Sequence, residues 1–353
     1  MRILQLNFER GWRGGERQTI LCMQQFRDAG HKVALLARRN GALAKAAAHE
    51  GFAVHEYKTV LGLCFFLLTR GRGFDILHAQ TANTVTWLAL FKWWLRGAVV
   101  FTRRTAFPVA EDHAKKTLWK WRKVDLFVAI SEAAAAEPRR LGLTVRVIRS
   151  AITAKELNLA HARDFSARLG LQDKRVIATA AALTREKDPC TLIRAIHDLK
   201  QVRDDFVFVH LGAGGDVEAE AHRLVKELGL EQHYIFAGFQ GNAEDLYRLM
   251  DVFVSSSRAE ALGTSVLDAF VYSVPVVSTC AGGLAETLAD GRGLLCAVGD
   301  HQAMARAIAT VLDDGELRES ILGKAHAYVS QEHDVVEMGR RYLAAFKRLS
   351  RVK

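Results

Sequence analysis

Residues 255–290 read SSSRAEALGTSVLDAFVYSVPVVSTCAGGLAETLAD, and the reading of this stretch decides the fold. The apolar run Val252 to Val254 just before it predicts a strand that ends in small hydroxyl residues. Glu260 follows, and Gly263-Thr264-Ser265 then opens a helical pattern carrying Asp268. A second strand pattern, Val274-Pro275-Val276-Val277-Ser278, ends at Gly282-Gly283, where backbone can approach a ligand closely. The stretch is therefore a βαβ-like unit. Its helix start offers free N–H groups and the positive end of a dipole to a diphosphate, while nearby carboxylates can accept hydrogen bonds from sugar or ribose hydroxyls.

The same alternation of short apolar strands and longer helical patterns runs through the whole chain, which implies parallel sheets covered by helices. Strands are expected at 3–6, 33–37, 53–57, 76–79, 99–102, 126–130 and 145–148 in the first half. In the second half they are expected at 176–180, 206–211, 234–237, 252–255, 274–278 and 294–296. Two such series predict an α/β protein of two Rossmann-like domains, at 1–160 and 161–332. The sheet pattern lapses near Ala151 to Gly170, and only helical patterns follow Asp300, so 333–353 is read as a terminal helix. In open parallel sheets ligands sit beyond the carboxyl ends of the strands. Two such domains with sheets facing one another would form an interdomain cleft there.

The 353 residues, half of them hydrophobic, suffice for two buried cores. The apolar stretches Val60 to Thr69 and Thr84 to Leu95 are too short or interrupted for a span of about 20 residues. The amino end reads as a buried strand, without a leader pattern, and a cytoplasmic location is expected. Five scattered cysteines lack zinc spacing and are read as reduced thiols. A net charge of +10 favours an anionic partner. Cations stand beside aromatic bulk at Leu61 to Arg72, Phe91 to Arg96 and Lys115 to Lys123, as in a helix resting on an anionic lipid surface at the inner face of a membrane. Ordinary amphipathic helices with solvated cations would read the same way. The cations are not arranged as an RNA-recognition motif, so no nucleic acid is expected as a partner.

Other candidates also follow predicted strands directly. Gly11-Trp12-Arg13-Gly14-Gly15-Glu16 precedes a helix, and its glycines permit a phosphate close to the backbone, although paired glycines often only make a turn. Thr184-Arg185-Glu186-Lys187-Asp188-Pro189 presents two cations before a helix start and could neutralise a leaving diphosphate, or could be a self-satisfied solvated loop. Leu211-Gly212-Ala213-Gly214-Gly215-Asp216 lacks the full dinucleotide fingerprint. His78 ends one strand, where it could pass protons, bind a hydroxyl or simply pack, and Arg103-Arg104 end another; all three are candidates for acceptor or sugar contact.

Glu260, seven residues and an acid, then PVV, GG and Glu286, resembles the GT4 family of retaining nucleotide-sugar glycosyltransferases, which have the GT-B fold. The second acid is usually Glu there and is Asp268 here. The resemblance implies that Glu260 touches the transferred sugar and Asp268 the ribose. It implies that Lys187 and the segment Leu262, Gly263, Thr264, Ser265 hold the diphosphate, and Arg185, from its own place in the loop, is read as substituting for the family's arginine there. Gly212 would lie near the donor nucleotide, and Gly238 and Phe239 at its base. Gly14, Gly15 and Glu16 match the family's paired-glycine segment at donor phosphate or acceptor. The family's arginine before the lysine is Ala182 here, and Arg104 stands where many members have a sugar-contacting His, which suggests a charged partner such as phosphate or an acidic sugar. The terminal helix would cross back onto the first domain.

No Asp-x-Asp stands at a strand end, so metal independence is expected, with no cofactor beyond the nucleotide-diphosphate sugar. The acceptor implied is a glycan or lipid-linked hydroxyl, such as a lipopolysaccharide core. Two alternatives remain open on the sequence: a nucleotide-sugar 2-epimerase of the same fold, and a non-catalytic basic protein binding anionic surfaces or RNA.

Overall fold

The computed structural model describes residues 1–12 and 14–351, so Arg13, Val352 and Lys353 lie outside the described residues. The chain divides into two compact units, Met1–Ala151 with His333–Lys353, and Ile152–Glu332.

The first unit is built on seven strands among the described residues: β1 (Arg2–Asn7), β2 (Lys32–Arg38), β3 (Ala53–Tyr57), β4 (Ile76–Ala79), β5 (Ala98–Arg103), β6 (Leu126–Ala129) and β7 (Arg146–Val147). All pair in parallel, in the order β3-β2-β1-β4-β5-β6-β7. The order reverses between β1 and β4, the place where doubly wound sheets bind ligands at their carboxyl ends. Helices cover both faces, which is why β1, β4 and β5 read as continuous apolar runs rather than alternating ones. One face packs Leu63, Leu67, Val85, Leu88 and Trp121 over Leu4, Leu6 and Leu77. The other holds Phe26, Tyr342 and Phe346 over Ile3, Ile76 and Val100.

The helix Val335–Arg351 belongs to this second face and lies on the helix Gly14–Asp28. Phe26 meets Phe346 edge-on at 5.4 Å and Tyr342 at 6.1 Å. Gly339 lets the two helices approach, since a Cβ there would lie 2.6 Å from Gln25 Cβ.

The second unit has six parallel strands among the described residues: β8 (Arg175–Ala180), β9 (Phe206–Leu211), β10 (Tyr234–Gly238), β11 (Val252–Ser255), β12 (Val276–Thr279) and β13 (Leu294–Cys296). Their order is β10-β9-β8-β11-β12-β13, with the reversal between β8 and β11. Residues 152–160, assigned to the first domain on sequence, belong to this second unit instead. Asp245 accounts for the difference: its carboxylate accepts from Asn158 N at 2.9 Å and lies 2.8 Å from His161 Nδ1, holding the linker against the segment Ala243–Leu249.

Candidate active site

In the second unit, two loops leave adjacent strands at the β8/β11 reversal and are tied together by one hydroxyl. Ser256, buried just past β11, donates to Lys187 O at 2.8 Å and Asp188 O at 2.9 Å. Arg258 N donates to Glu186 O at 2.7 Å, and Arg258 Nε to Asp188 Oδ2 at 2.8 Å. Asp188 sits in the left-handed region (φ 47°, ψ 61°) and caps the helix Pro189–Lys200 by accepting from Thr191 N at 3.2 Å. This fastening presents Lys187 toward the next loop, where its ammonium forms an ion pair with the Glu260 carboxylate. Both side chains remain partly exposed, at 28% and 20%, so a ligand can reach them.

The backbone around Glu260 is fixed from the other side by Gly282 and Gly283. Gly283 N donates to Glu260 O at 2.8 Å. A Cβ on Gly283 would sit 2.1 Å from Ala261 O, and one on Gly282, whose φ is 53°, would sit 2.4 Å from Glu260 O. Only glycine allows the two segments to lie so close. Gly263 (φ 80°) then starts the helix Thr264–Val271, with no side-chain cap on its first turn. That leaves the end of the dipole open to an anion three residues from Glu260. Thr264 and Ser265 are half-buried at this start, Leu262 is buried with its carbonyl bonded to Thr287 Oγ1 at 2.8 Å, and Asp268 is buried one turn further on.

The remaining second-unit candidates scatter around this point. Gly212 N donates to Gly238 O at 2.8 Å, so the ends of β9 and β10 are held together, and a Cβ on Gly212 would lie 1.9 Å from Ala181 O. Phe239 exposes its ring to solvent. Arg185 does not join Lys187 and Glu260. Its Nε lies 3.3 Å from Asp216 Oδ2, its N donates to Asp216 Oδ1 at 3.0 Å, and its side chain borders a separate cavity of 310 Å³ with Asp188, Glu220 and Arg258.

In the first unit, Gly14 and Gly15 begin the helix behind β1, and Glu16 turns inward as a buried acceptor of Asn7 Nδ2 at 3.0 Å. Glu16 is thus held inside the loop rather than presented to solvent. His78 is wholly buried. Its Nδ1 lies 3.2 Å from Gln5 Nε2, its Nε2 lies 2.8 Å from Thr102 Oγ1, and its ring rests on Tyr342 and Phe346. Burial, with the charge of Arg104 second, pushes the imidazole down to about 3, so it stays neutral and packed. The proton-passing role considered from sequence gives way to a core role.

Arg103 is the last residue of β5 and Arg104 the first beyond it, and their side chains part. Arg103 is buried, donating to Ala134 O at 3.0 Å and to Phe107 O, over the Trp121 ring. Its expected sugar contact is therefore corrected to a structural clamp. Arg104 goes the other way, donating to Gln80 Oε1 at 2.6 Å and Ser150 Oγ at 3.2 Å, with its Cδ beside Gly15. Ser256, Arg258 and Gln80 were not singled out on sequence, because a serine in a polar run or a strand-end glutamine carries no spacing signal. Among the described residues no group of three or more His, Cys, Asp or Glu side chains gathers as a metal site, and no helix is long and apolar enough to cross a membrane.

Comparison with known proteins fits this geometry. Residues 12–156 match the model described as Glycosyltransferase Family 4, and residues 162–326 the model described as Glycosyl transferases group 1. The chain is 32% identical over 155 residues to the lipopolysaccharide core biosynthesis glycosyltransferase LpsE of Rhizobium meliloti (strain 1021), covering 44% of each. It is 31% identical over 137 residues to the mannosyltransferase LpsB of that organism, covering 38% of this chain and 39% of LpsB. The matched stretch thus spans less than half the length of these relatives. Among solved structures, Anabaena HepE in complex with UDP and glucose aligns with a TM-score of 0.86 at 21% identity, covering 98% of this chain and 99% of HepE. A glycosyltransferase from Rickettsia africae ESF-5 aligns at 0.85 and 20% identity, covering 99% and 98%. With the two family models matching successive halves and the GT-B architecture matching throughout, the chain belongs to the GT4 family of glycosyltransferases.

Proposed function

We propose that this protein is a retaining glycosyltransferase that moves a sugar from a nucleoside-diphosphate sugar to an acceptor hydroxyl in cell-envelope glycan synthesis. The observation that carries the reading is the Lys187–Glu260 pair beside the uncapped helix start at Gly263. A diphosphate entering there meets Lys187 and the helix dipole, which stabilise the charge that grows as the leaving group departs. Binding of phosphate to Lys187 frees Glu260 to accept from a sugar hydroxyl, and Asp268 faces the ribose. The bond from the anomeric carbon to the diphosphate breaks while the acceptor oxygen bonds to that carbon on the same face. The acceptor proton passes to the departing diphosphate oxygen, so no side-chain base and no metal enters the reaction. Arg185 contributes long-range charge only, because Asp216 holds it.

The neighbours supply the chemical class. HepE is complexed with UDP and glucose, and LpsE and LpsB are described as lipopolysaccharide core enzymes. They give no support to an epimerase or to a non-catalytic binder. The acceptor is read as lipid-linked at the inner membrane face, on the strength of the helix Val60–Thr69. Leu61 and Phe65 are 80% and 69% exposed on it, and Trp93 is 78% exposed nearby. Trp94 Nε1 donates to Leu68 O at 2.8 Å and Arg72 lies over the Trp94 ring, so bulk and cation share one face.

A thermal-shift panel of UDP, GDP, ADP and CMP sugars tests the reading, since a ligand of the folded state raises its stability. One donor should stabilise the protein, and less so Glu260→Ala. Indifference of a folded protein to every donor would overturn it.

A further inference from the structure

The carboxyl ends of β1, β2 and β3 enclose two adjoining cavities of 510 and 430 Å³, both bordered by Arg10 and Arg38. Arg39 and Lys58 complete the larger one, so four cations line it, and none of its described lining residues is an acid. Arg10, Arg39 and Lys58 are exposed, and among the described residues none of them pairs with a carboxylate. Arg38 bonds Tyr57, yet its Nε is buried without an acceptor. Tyr57 is braced by Phe8 at 4.6 Å, which fixes this wall. Asn40, with φ 59° and its N bonded to Glu56 Oε1 at 2.9 Å, leads into the helix Ala42–His49, which starts at the cavity edge without a side-chain cap.

Glu9 and Glu16 border the smaller cavity, but the four like charges around the larger one repel one another, and an anion that joins them relieves that repulsion. A phosphate monoester carries nearly two charges and three acceptor oxygens, and guanidinium forks fit it in pairs. A carboxylate offers one charge and leaves most of the set uncompensated. A cavity of this volume also has room for the sugar that bears the phosphate. We propose that this cavity binds a phosphate group on a phosphorylated sugar of the acceptor. The inference rests on the transferase reading for the word acceptor, and on the cavity itself for the phosphate.

Calorimetric titration of the full chain separates the two. Glucose 6-phosphate should bind and glucose should not, with glucuronate at least tenfold weaker. The variant Arg10→Gln/Lys58→Gln, at exposed positions, should weaken glucose 6-phosphate at least tenfold and leave binding of the stabilising nucleotide sugar unchanged. Arg10→Lys/Lys58→Arg should restore most of the affinity, and Lys174→Gln/Lys226→Gln, an equal charge loss on the second unit, should have no effect. Glucose 6-phosphate binding that ignores the Arg10/Lys58 variant, equals that of glucuronate, or is undetectable would overturn the proposal. Inorganic phosphate binding as tightly as the sugar phosphate would overturn its sugar half. Cation-dependent glucose 6-phosphate binding by a folded protein that no UDP, GDP, ADP or CMP sugar stabilises would support the cavity and remove the transferase reading.

Discussion

Gly283→Ala is the most exacting test of how the second-unit site is built. The new Cβ would lie 2.1 Å from Ala261 O, 2.4 Å from Ala261 C and 2.8 Å from Leu262 N, all backbone atoms that no rotamer change can move. Overpacking of this kind costs about 1–3 kcal/mol. Displacing the loop also strains the Gly283 N to Glu260 O bond, worth roughly 1 kcal/mol. The sum, about 2–4 kcal/mol, corresponds to a fall of roughly 5–15 °C in the melting of a unit of this size. Because the atoms pushed aside carry Glu260 and Gly263, stabilisation by whichever nucleotide sugar the donor panel selects should fall as well. Gly323→Ala is the matched control. It adds the same methyl inside the helix Gly315–Glu332, with nothing within 4 Å, and should gain roughly 0.5–1 kcal/mol. Circular dichroism melting with and without that donor reads both. Two variants that melt within a degree of each other, with equal donor effects, would refute the close-approach argument.

Ser256→Ala leaves the carbonyls of Lys187 and Asp188 without their shared donor; a loss of about 1–2 kcal/mol and weaker binding of the stabilising nucleotide sugar are expected by denaturant titration and calorimetry. His78 and His210 are pushed down to about 3 and about 4, mainly by burial, while the unfolded chain holds histidine near 6.5. The unfolded state then binds more protons below that value, so their contribution is complete above about pH 6.5 and is lost as pH falls toward 4. Proton uptake on unfolding at pH 5 should drop by close to one in His78→Gln, measured from the slope of stability against pH. Phe346→Ala empties a fully buried site on the terminal helix and should cost about 3–5 kcal/mol, seen in melting of the first unit with nucleotide-sugar binding retained.

The strands were legible because sheets covered on both faces leave continuous apolar runs, such as Phe206 to Leu211, bounded by turn residues. Glycines were legible as points of close approach at Gly282-Gly283 for the same physical reason that they resist substitution. Pairings across the chain were not. Lys187 and Glu260 meet because Ser256 and Arg258 fasten one loop to the other, and nothing in either local pattern encodes those bonds. Arg185 and Lys187 read alike in the sequence although Asp216 pairs with Arg185, and Arg103 and Arg104 read alike although Arg103 ends β5 buried and Arg104, beyond it, turns to Gln80 and Ser150. The first-domain boundary slipped because a polar linker carries no periodicity of its own, and Asp245 decides which unit holds it.

The most direct measurement follows the anomeric proton of a stabilising nucleotide sugar by NMR during its slow breakdown with water as acceptor. The retaining reading requires that the sugar first released keeps the donor's anomeric configuration, with nucleoside diphosphate as coproduct, and that Lys187→Ala and Glu260→Ala slow the reaction at least a hundredfold. First release of the opposite anomer, or a rate indifferent to both substitutions, would contradict it.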